Sequence, residues 1–133
     1  MIHIVSAADP HHRNTQEVLK KLFLSIKWSL AGFVYAFKHE QAFRLEVYAV
    51  LVLTPLAIYI SKDCNQFLWL FFSAHLVLVA ELFNTAIEAV IDRIGKDHHL
   101  LAKHAKDAGS AAVFYTIIMA IIVWSVIIYK RAS

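Results

Sequence analysis

Residues 108–129 read AGSAAVFYTIIMAIIVWSVIIY, a run of 22 uncharged residues between Asp107 and Lys130. A helix needs about 20 predominantly apolar residues to cross the hydrocarbon core of a bilayer, so this run is long enough. Two shorter charge-free runs, 47–61 and 64–80, reach that length only if polar residues at their ends lie at the membrane interface. The sequence therefore predicts three transmembrane helices, near 42–61, 66–94 and 108–129.

The composition also indicates a membrane protein. Of the 133 residues, 59% are hydrophobic and 17% are charged, whereas soluble domains usually contain about 45–50% apolar and about 25% charged residues. A chain of this length fits one domain, whose core is too small to bury such an excess. We therefore predict an all-α membrane protein with a single membrane domain over 16–133.

The segment before the first span has two parts. Residues 1–15 are polar, and we expect a flexible N-terminal extension there. Over 16–39, apolar residues recur at spacings of three and four, with lysines between them. This pattern predicts an amphipathic surface helix that lies in the membrane interface, packs against the helical bundle, or does both.

The basic residues predict the orientation of the chain. Ten of the thirteen Lys and Arg residues lie within residues 1–46 or in the connection 93–107. Because basic residues near span ends concentrate on the cytoplasmic side, we expect the N-terminus to be cytoplasmic and the C-terminus to lie outside.

The second predicted span carries an acidic stripe. Its cytoplasmic half reads ELFNTAIEAVID from Glu81 to Asp92, and Glu81, Asn84, Glu88 and Asp92 follow at intervals of 3, 4 and 4. These intervals place the four side chains on one helical face. Acids near hydrocarbon cost about 2.5–3.5 kcal/mol each, so a divalent cation, a proton or a basic partner is expected nearby. Oxygen ligands suit Mg²⁺ or Ca²⁺.

A purely structural alternative is that these acids pair with Arg93, Lys103 and Lys106, or cap a helix that emerges into water. For Asp92 this alternative is as plausible as a functional role. For Glu81 it is less plausible, because Glu81 lies eleven residues further into the predicted span. A second acidic pair, Glu40 and Glu46, lies where the amphipathic helix meets the first span and is expected near the depth of Glu81 and Glu88.

Other sites are not favoured. The single cysteine, Cys64, excludes an internal disulfide and a cysteine-based metal site. His98, His99 and His104 have no cysteine partners, so a zinc site is not expected, and His75 within a span is expected to be packed or hydrogen-bonded. A net charge of +3 gives no reason to expect a nucleic-acid partner.

From about Lys20 to Tyr129 the sequence resembles the small prokaryotic integral-membrane diacylglycerol kinases. The resemblance is carried by ELFNTAIEAVIDRIG at 81–95, by AKDAGSAAV at 105–113 and by EQAFRLE at 40–46. The undecaprenol kinases share the pattern E-x-x-N-T-A-I-E-x-x-x-D and AKD. RIG at 93–95 and GSAAV at 109–113 are closer to the diacylglycerol branch, whereas LAK at 101–103 is closer to the undecaprenol branch.

The resemblance implies an enzyme that phosphorylates the hydroxyl of 1,2-diacylglycerol from ATP with Mg²⁺, giving phosphatidic acid. It assigns Glu81 as the general base, with Asn84 beside it, and it assigns Glu40 and Glu88 to Mg²⁺. The implied ATP contacts are Lys21, Trp28, Glu40, Glu88, Asp97, His98, His99, Lys106 and Asp107. The implied lipid contacts are Lys21, Ser29, Ala42, Arg44, Glu46, Glu81 and Ser110. Lys21 stands where the family often has arginine.

The resemblance also implies a homotrimer with active sites shared between subunits, in the bacterial inner membrane. Undecaprenol kinase is the alternative of the same class. An ion or proton translocator, with the acidic stripe facing a pore, and a structural membrane subunit are alternatives of other classes. The acids gather at the cytoplasmic end of the second span and the third span is almost wholly apolar, which favours chemistry at the interface.

Overall fold

The protein is all-α. The computed structural model describes residues 15–94 and 99–132, which form four helices: α1 (Thr15–His39), α2 (Gln41–Ile60), α3 (Cys64–Ile94) and α4 (Leu100–Ala132). Three of them, α2, α3 and α4, are long and apolar enough to cross a membrane. The predicted fold class is thereby confirmed.

The helices extend beyond the predicted spans because the polar residues that flank the spans are also helical. α4 begins at Leu100, eight residues before its predicted span. α3 begins at Cys64, where the Asp63 carboxylate caps the helix by accepting the backbone N–H of Gln66 at 2.8 Å. The Gln66 side chain in turn accepts the backbone N–H of Lys62 at 3.1 Å, so both partners satisfy donors at this helix start.

The chain divides after Val34 into two compact units. In the first, the large apolar side chains of α1 are exposed, with Phe23 at 69% and Trp28 at 66%. Apolar surface of this kind suits contact with lipid. The placement of α1 in the membrane interface stays a prediction, and residues 1–14 of the predicted extension lie outside the described residues.

The second unit is built around α3, which packs along both α2 and α4. Its buried apolar cluster lies where α2 and α4 end and α3 begins, and consists of Ala57, Ile60, Leu70 and Ile127. This end of the unit is therefore held by apolar packing.

Arg131 joins α4 to α2 at the same end. Its Nη1 donates to the carbonyls of Tyr59 at 3.1 Å and Ile60 at 2.7 Å. Its guanidinium also lies 5.2 Å from the centroid of the Tyr59 ring. Arg131 thus satisfies terminal carbonyls of α2, which have no partner within their own helix.

We expect Arg131→Gln to lower the free energy of unfolding by about 1–2 kcal/mol, since it removes charge-assisted hydrogen bonds and a cation–π contact. Thermal unfolding in detergent micelles, followed by circular dichroism, measures the change. Arg93→Gln is the matched control because Arg93 is an exposed arginine in the last turn of α3. Equal melting temperatures for the two variants would contradict the capping role.

Candidate active site

The acidic stripe of α3 begins in the interior of the second unit. Glu81 is 5% exposed and Asn84 is 8% exposed. Glu88 is half-buried and Asp92 is exposed, so the stripe runs from the interior to the surface along one helix face. The spacing-based prediction that these residues share a face agrees with this gradient.

Asn84 links the two glutamates of the stripe. Its Nδ2 donates to Glu88 Oε1 at 3.3 Å, and its side chain also interacts favourably with the Glu81 carboxylate. The amide oxygen of Asn84 is buried and accepts no hydrogen bond from any described residue. The amide therefore presents its donors to the two carboxylates.

α2 and the residue before it add two more acids. Glu40 and Glu46 both interact electrostatically with Glu81, so all three carboxylates gather at one end of the unit. The expectation that this pair lies at the depth of the stripe agrees with the arrangement. Glu46 Oε2 is buried, and no side chain or backbone group of the described residues donates to it.

The nearby basic side chains neutralise little of this charge. Arg44 Nη1 donates to the carbonyls of Phe37 at 3.2 Å and Lys38 at 2.9 Å, at the C-terminus of α1. Lys106 Nζ donates to Asp92 Oδ1 at 2.6 Å and interacts electrostatically with Glu88. The structural alternative thus holds for Asp92, which forms an ion pair with Lys106.

The gathered carboxylates could supply part of the coordination of a cation, with a bound substrate supplying the rest. Within 15–94 and 99–132 there is no group of three or more His, Cys, Asp or Glu side chains that could hold a metal by themselves. Mg²⁺ commonly takes one or two carboxylates, with the remaining ligands from waters and substrate phosphates. Glu40 and Glu88, which both interact electrostatically with Glu81, match that division.

The other predicted site residues are exposed or lie outside the described part of the chain. Asp107 and Ser110 are exposed on α4, and Ala42 is exposed on α2. His99 is exposed, and its Nδ1 accepts the backbone N–H of Leu101 at 3.3 Å. Lys21, Trp28 and Ser29 are exposed residues of the first unit, while Asp97 and His98 lie outside the described residues.

His75 is packed, as expected. Its Nδ1 hydrogen-bonds the Phe71 carbonyl at 2.8 Å, and the two rings stack with centroids 3.8 Å apart. Both contacts of the His75 ring are therefore made with Phe71 of the same helix.

Sequence reasoning assigned no role to Gly109 of α4. A Cβ atom at this position would lie 2.5 Å from Asn84 Oδ1. Gly109 therefore allows α4 to approach α3 at the centre of the acidic stripe. The signal in the sequence is a glycine inside an otherwise alanine-rich helical segment, AKDAGSAA, where alanine would favour the helix by about 1 kcal/mol.

An apolar cleft of about 360 Å³ opens beside the acids. It is bounded by α2, α3 and α4, with Glu46 as its acidic wall and Val50, Val77 and Trp124 among its apolar walls. A carboxylate beside an apolar groove can contact a lipid whose polar end lies at the acids and whose chain lies in the groove.

Comparison with known proteins gives consistent results. A family model described as prokaryotic diacylglycerol kinase matches residues 27–128. The chain is 40% identical over 111 residues to a diacylglycerol kinase of Haemophilus influenzae, covering 84% of this chain and 94% of that protein. It is 42% identical over 104 residues to the diacylglycerol kinase of Escherichia coli, covering 78% and 85%. It is 38% identical over 113 residues to that of Pseudomonas aeruginosa, covering 85% and 92%.

Asp92→Asn should change the free energy of unfolding by less than about 1 kcal/mol, because the ion pair with Lys106 is solvent-accessible. Added salt should reduce the difference further. Thermal unfolding at low and high ionic strength measures it, with Asp107→Asn as a control at another exposed acid. A loss of several kcal/mol would show that the pair is a structural element rather than a surface contact.

Proposed function

Since the chain belongs to the prokaryotic diacylglycerol kinase family, we propose that it transfers the γ-phosphoryl group of ATP to the hydroxyl of 1,2-diacylglycerol and releases phosphatidic acid and ADP. The observation that carries the proposal is the buried Glu81 joined through Asn84 to Glu88, with Lys106 facing Glu88 from α4. This arrangement offers a base at one end and a phosphate-binding region at the other.

The proposed step has Glu81 as the general base. The lipid hydroxyl oxygen forms a bond to the γ-phosphorus, its proton passes to the Glu81 carboxylate, and the bond from the γ-phosphorus to the β–γ bridging oxygen breaks. Glu88 lies seven residues further along α3, about 10 Å away along the helix axis. The lipid hydroxyl and the ATP phosphates can therefore lie along one helix face.

Glu40 and Glu88 are the proposed Mg²⁺ ligands. Both interact electrostatically with Glu81, and the cation that interacts with Glu88, Lys106, is shared with Asp92. This donor set fits a hard divalent ion that is also held by ATP phosphates. When bound, Mg²⁺ supplies charge neutralisation for the phosphoryl group.

Lys106 is the proposed cationic contact to phosphate. The Lys106 ammonium lies 2.6 Å from the Asp92 carboxylate. It also interacts electrostatically with Glu88, so it lies on the side of α4 that faces the stripe. Asp107, Asp97, His98 and His99 are the further proposed nucleotide contacts. Lys21 and Trp28 of α1 complete the set implied by the family.

The lipid is proposed to enter at the apolar cleft. Glu46 lies at its polar end, and Arg44, Ala42, Ser29, Lys21 and Ser110 are the other proposed lipid contacts. The apolar walls suit acyl chains. We place the site on the cytoplasmic side of the bacterial inner membrane, where ATP is present, which agrees with the orientation predicted from the basic residues.

We also propose a homotrimer with shared sites. The exposed face of α3 carries large apolar residues at alternating intervals of three and four, the spacing of a coiled-coil seam. With Ala86, which is also exposed, the stripe consists of Trp69, Phe72, Leu76, Val79, Phe83, Ala86 and Val90. Copies inserted in the same orientation can pack these stripes together, and the number three comes from the family.

Undecaprenol kinase remains the second candidate because the motif at 81–92 is common to both families. The relatives compared above are named diacylglycerol kinases, which supports diacylglycerol as the acceptor. The translocator alternative is less favoured, because the acids lie together at one end of the helical unit rather than along its length.

The wild-type protein in mixed micelles with labelled ATP and Mg²⁺ should phosphorylate diacylglycerol in preference to undecaprenol. Glu81→Gln should lower kcat by about 10²–10⁴-fold, the usual contribution of a general base. Glu88→Gln should raise the apparent KM for Mg·ATP by about 10–100-fold, since it removes a charged ligand worth about 1.5–3 kcal/mol.

Glu17→Gln is the control, as Glu17 is an exposed acid of α1 outside the proposed site. A preference for undecaprenol would assign the protein to the second candidate. No transfer to either lipid by folded protein, or full activity in both variants, would contradict the kinase mechanism.

The stripe predicts crosslinking between copies. In a Cys64→Ser background, Phe83→Cys should give intermolecular disulfides under mild oxidation, because Phe83 lies on the stripe. Phe114→Cys is the matched control, since the two phenylalanines are 68% and 65% exposed and Phe114 lies on α4. Crosslinking of Phe114→Cys alone, read from a non-reducing gel, would place the interface elsewhere.

A further inference from the structure

Gly109 and the Asn84 amide occupy adjoining space between α4 and α3. A Cβ atom at position 109 would lie 2.5 Å from Asn84 Oδ1, 3.5 Å from Asn84 Cγ and 3.6 Å from Ile87 Cδ1. The first separation is far inside van der Waals contact. Any side chain at position 109 would therefore displace the Asn84 amide or separate the two helices.

The electrostatics of the stripe require this orientation of the amide. Ionised carboxylates only accept hydrogen bonds, so Glu81 and Glu88 can be bridged by the NH₂ group of Asn84 and would be repelled by its oxygen. With the NH₂ group directed at the glutamates, the oxygen must point elsewhere. It points at Gly109, and no described residue donates to it there.

We propose that Gly109 is a positioning residue for phosphoryl transfer. Its missing side chain leaves the space that receives the amide oxygen of Asn84, and this keeps the amide donors on Glu81 and Glu88. The inference rests on the proposed function for its catalytic consequence, whereas the contact itself is independent of the reaction.

Backbone conformation gives no other reason for this glycine. Gly109 lies within the continuous helix α4 and is buried, and glycine inside a helix is less favourable than alanine by about 1 kcal/mol. Gly32 of α1 provides the contrast, because a Cβ atom there would meet nothing within 4 Å.

The test is a double-mutant cycle of Gly109→Ala and Asn84→Ala, with Gly32→Ala as the control. Gly109→Ala alone should lower kcat for diacylglycerol by about 10–100-fold, as small displacements of reacting groups do, and leave the KM for Mg·ATP less affected. In the Asn84→Ala background, the same substitution should change kcat by no more than about two-fold, the usual error of additivity.

Thermal unfolding of the same four proteins gives a readout independent of activity. Gly109→Ala should lower the melting temperature when Asn84 is present, and should leave it unchanged or raise it when position 84 is alanine, because the clash is gone. Gly32→Ala should leave kcat unchanged.

An unchanged kcat in Gly109→Ala would overturn the positioning role. Equal losses of melting temperature in both backgrounds would overturn the contact and indicate a general packing role for the glycine. If the wild-type protein transferred no phosphate to lipid, the proposed function would fail, while the melting temperatures would still report on the contact.

Discussion

The concentration of negative charge at one end of the second unit constrains the rest of the structure. Glu40, Glu46 and Glu88 all act electrostatically on the buried Glu81. Like charges in a partly apolar setting repel strongly because little water screens them. The described part of the chain places one lysine, Lys106, against the stripe, and that lysine is shared with Asp92. The helices must be held together against this repulsion by contacts elsewhere.

Some of those contacts lie at the opposite end. There Ala57, Ile60, Leu70 and Ile127 form a buried apolar cluster, and Arg131 ties the end of α4 to the terminal carbonyls of α2. Contacts that hold the three helices together are thus also made far from the acids. Active sites often retain charges that destabilise the folded protein, because a bound ligand supplies the opposite charge that the protein itself lacks.

Much of this arrangement could be predicted from local pattern. Charge-free runs located the three spans, and intervals of 3, 4 and 4 placed Glu81, Asn84, Glu88 and Asp92 on one face, because both follow from the geometry of a single helix. The ion pair of Asp92 with Lys106 was one of the predicted alternatives, because Lys106 is among the few basic residues that follow the acidic stripe in the sequence.

The relations between helices could not be predicted from such patterns. The contact of Gly109 with Asn84 depends on the register of α4 against α3, which no periodicity within one helix specifies. The same is true of Arg131, whose partners lie more than seventy residues earlier in the chain. Arg44, which the resemblance makes a lipid contact, also donates to backbone carbonyls at the end of α1, and no periodicity within one helix specifies those hydrogen bonds.

The electrostatic cost of Glu88 is measured most directly by thermal unfolding of Glu88→Gln and wild-type protein, each with and without Mg²⁺ and a non-hydrolysable ATP analogue. If Glu88 is kept for ligand binding against its own electrostatic cost, the variant should melt at a higher temperature than wild type without ligand. It should also lose most of the stabilisation that Mg²⁺ and the analogue give to wild type. A variant that melts lower without ligand, or that keeps the full gain with it, would show that Glu88 is not kept for ligand binding at the expense of stability.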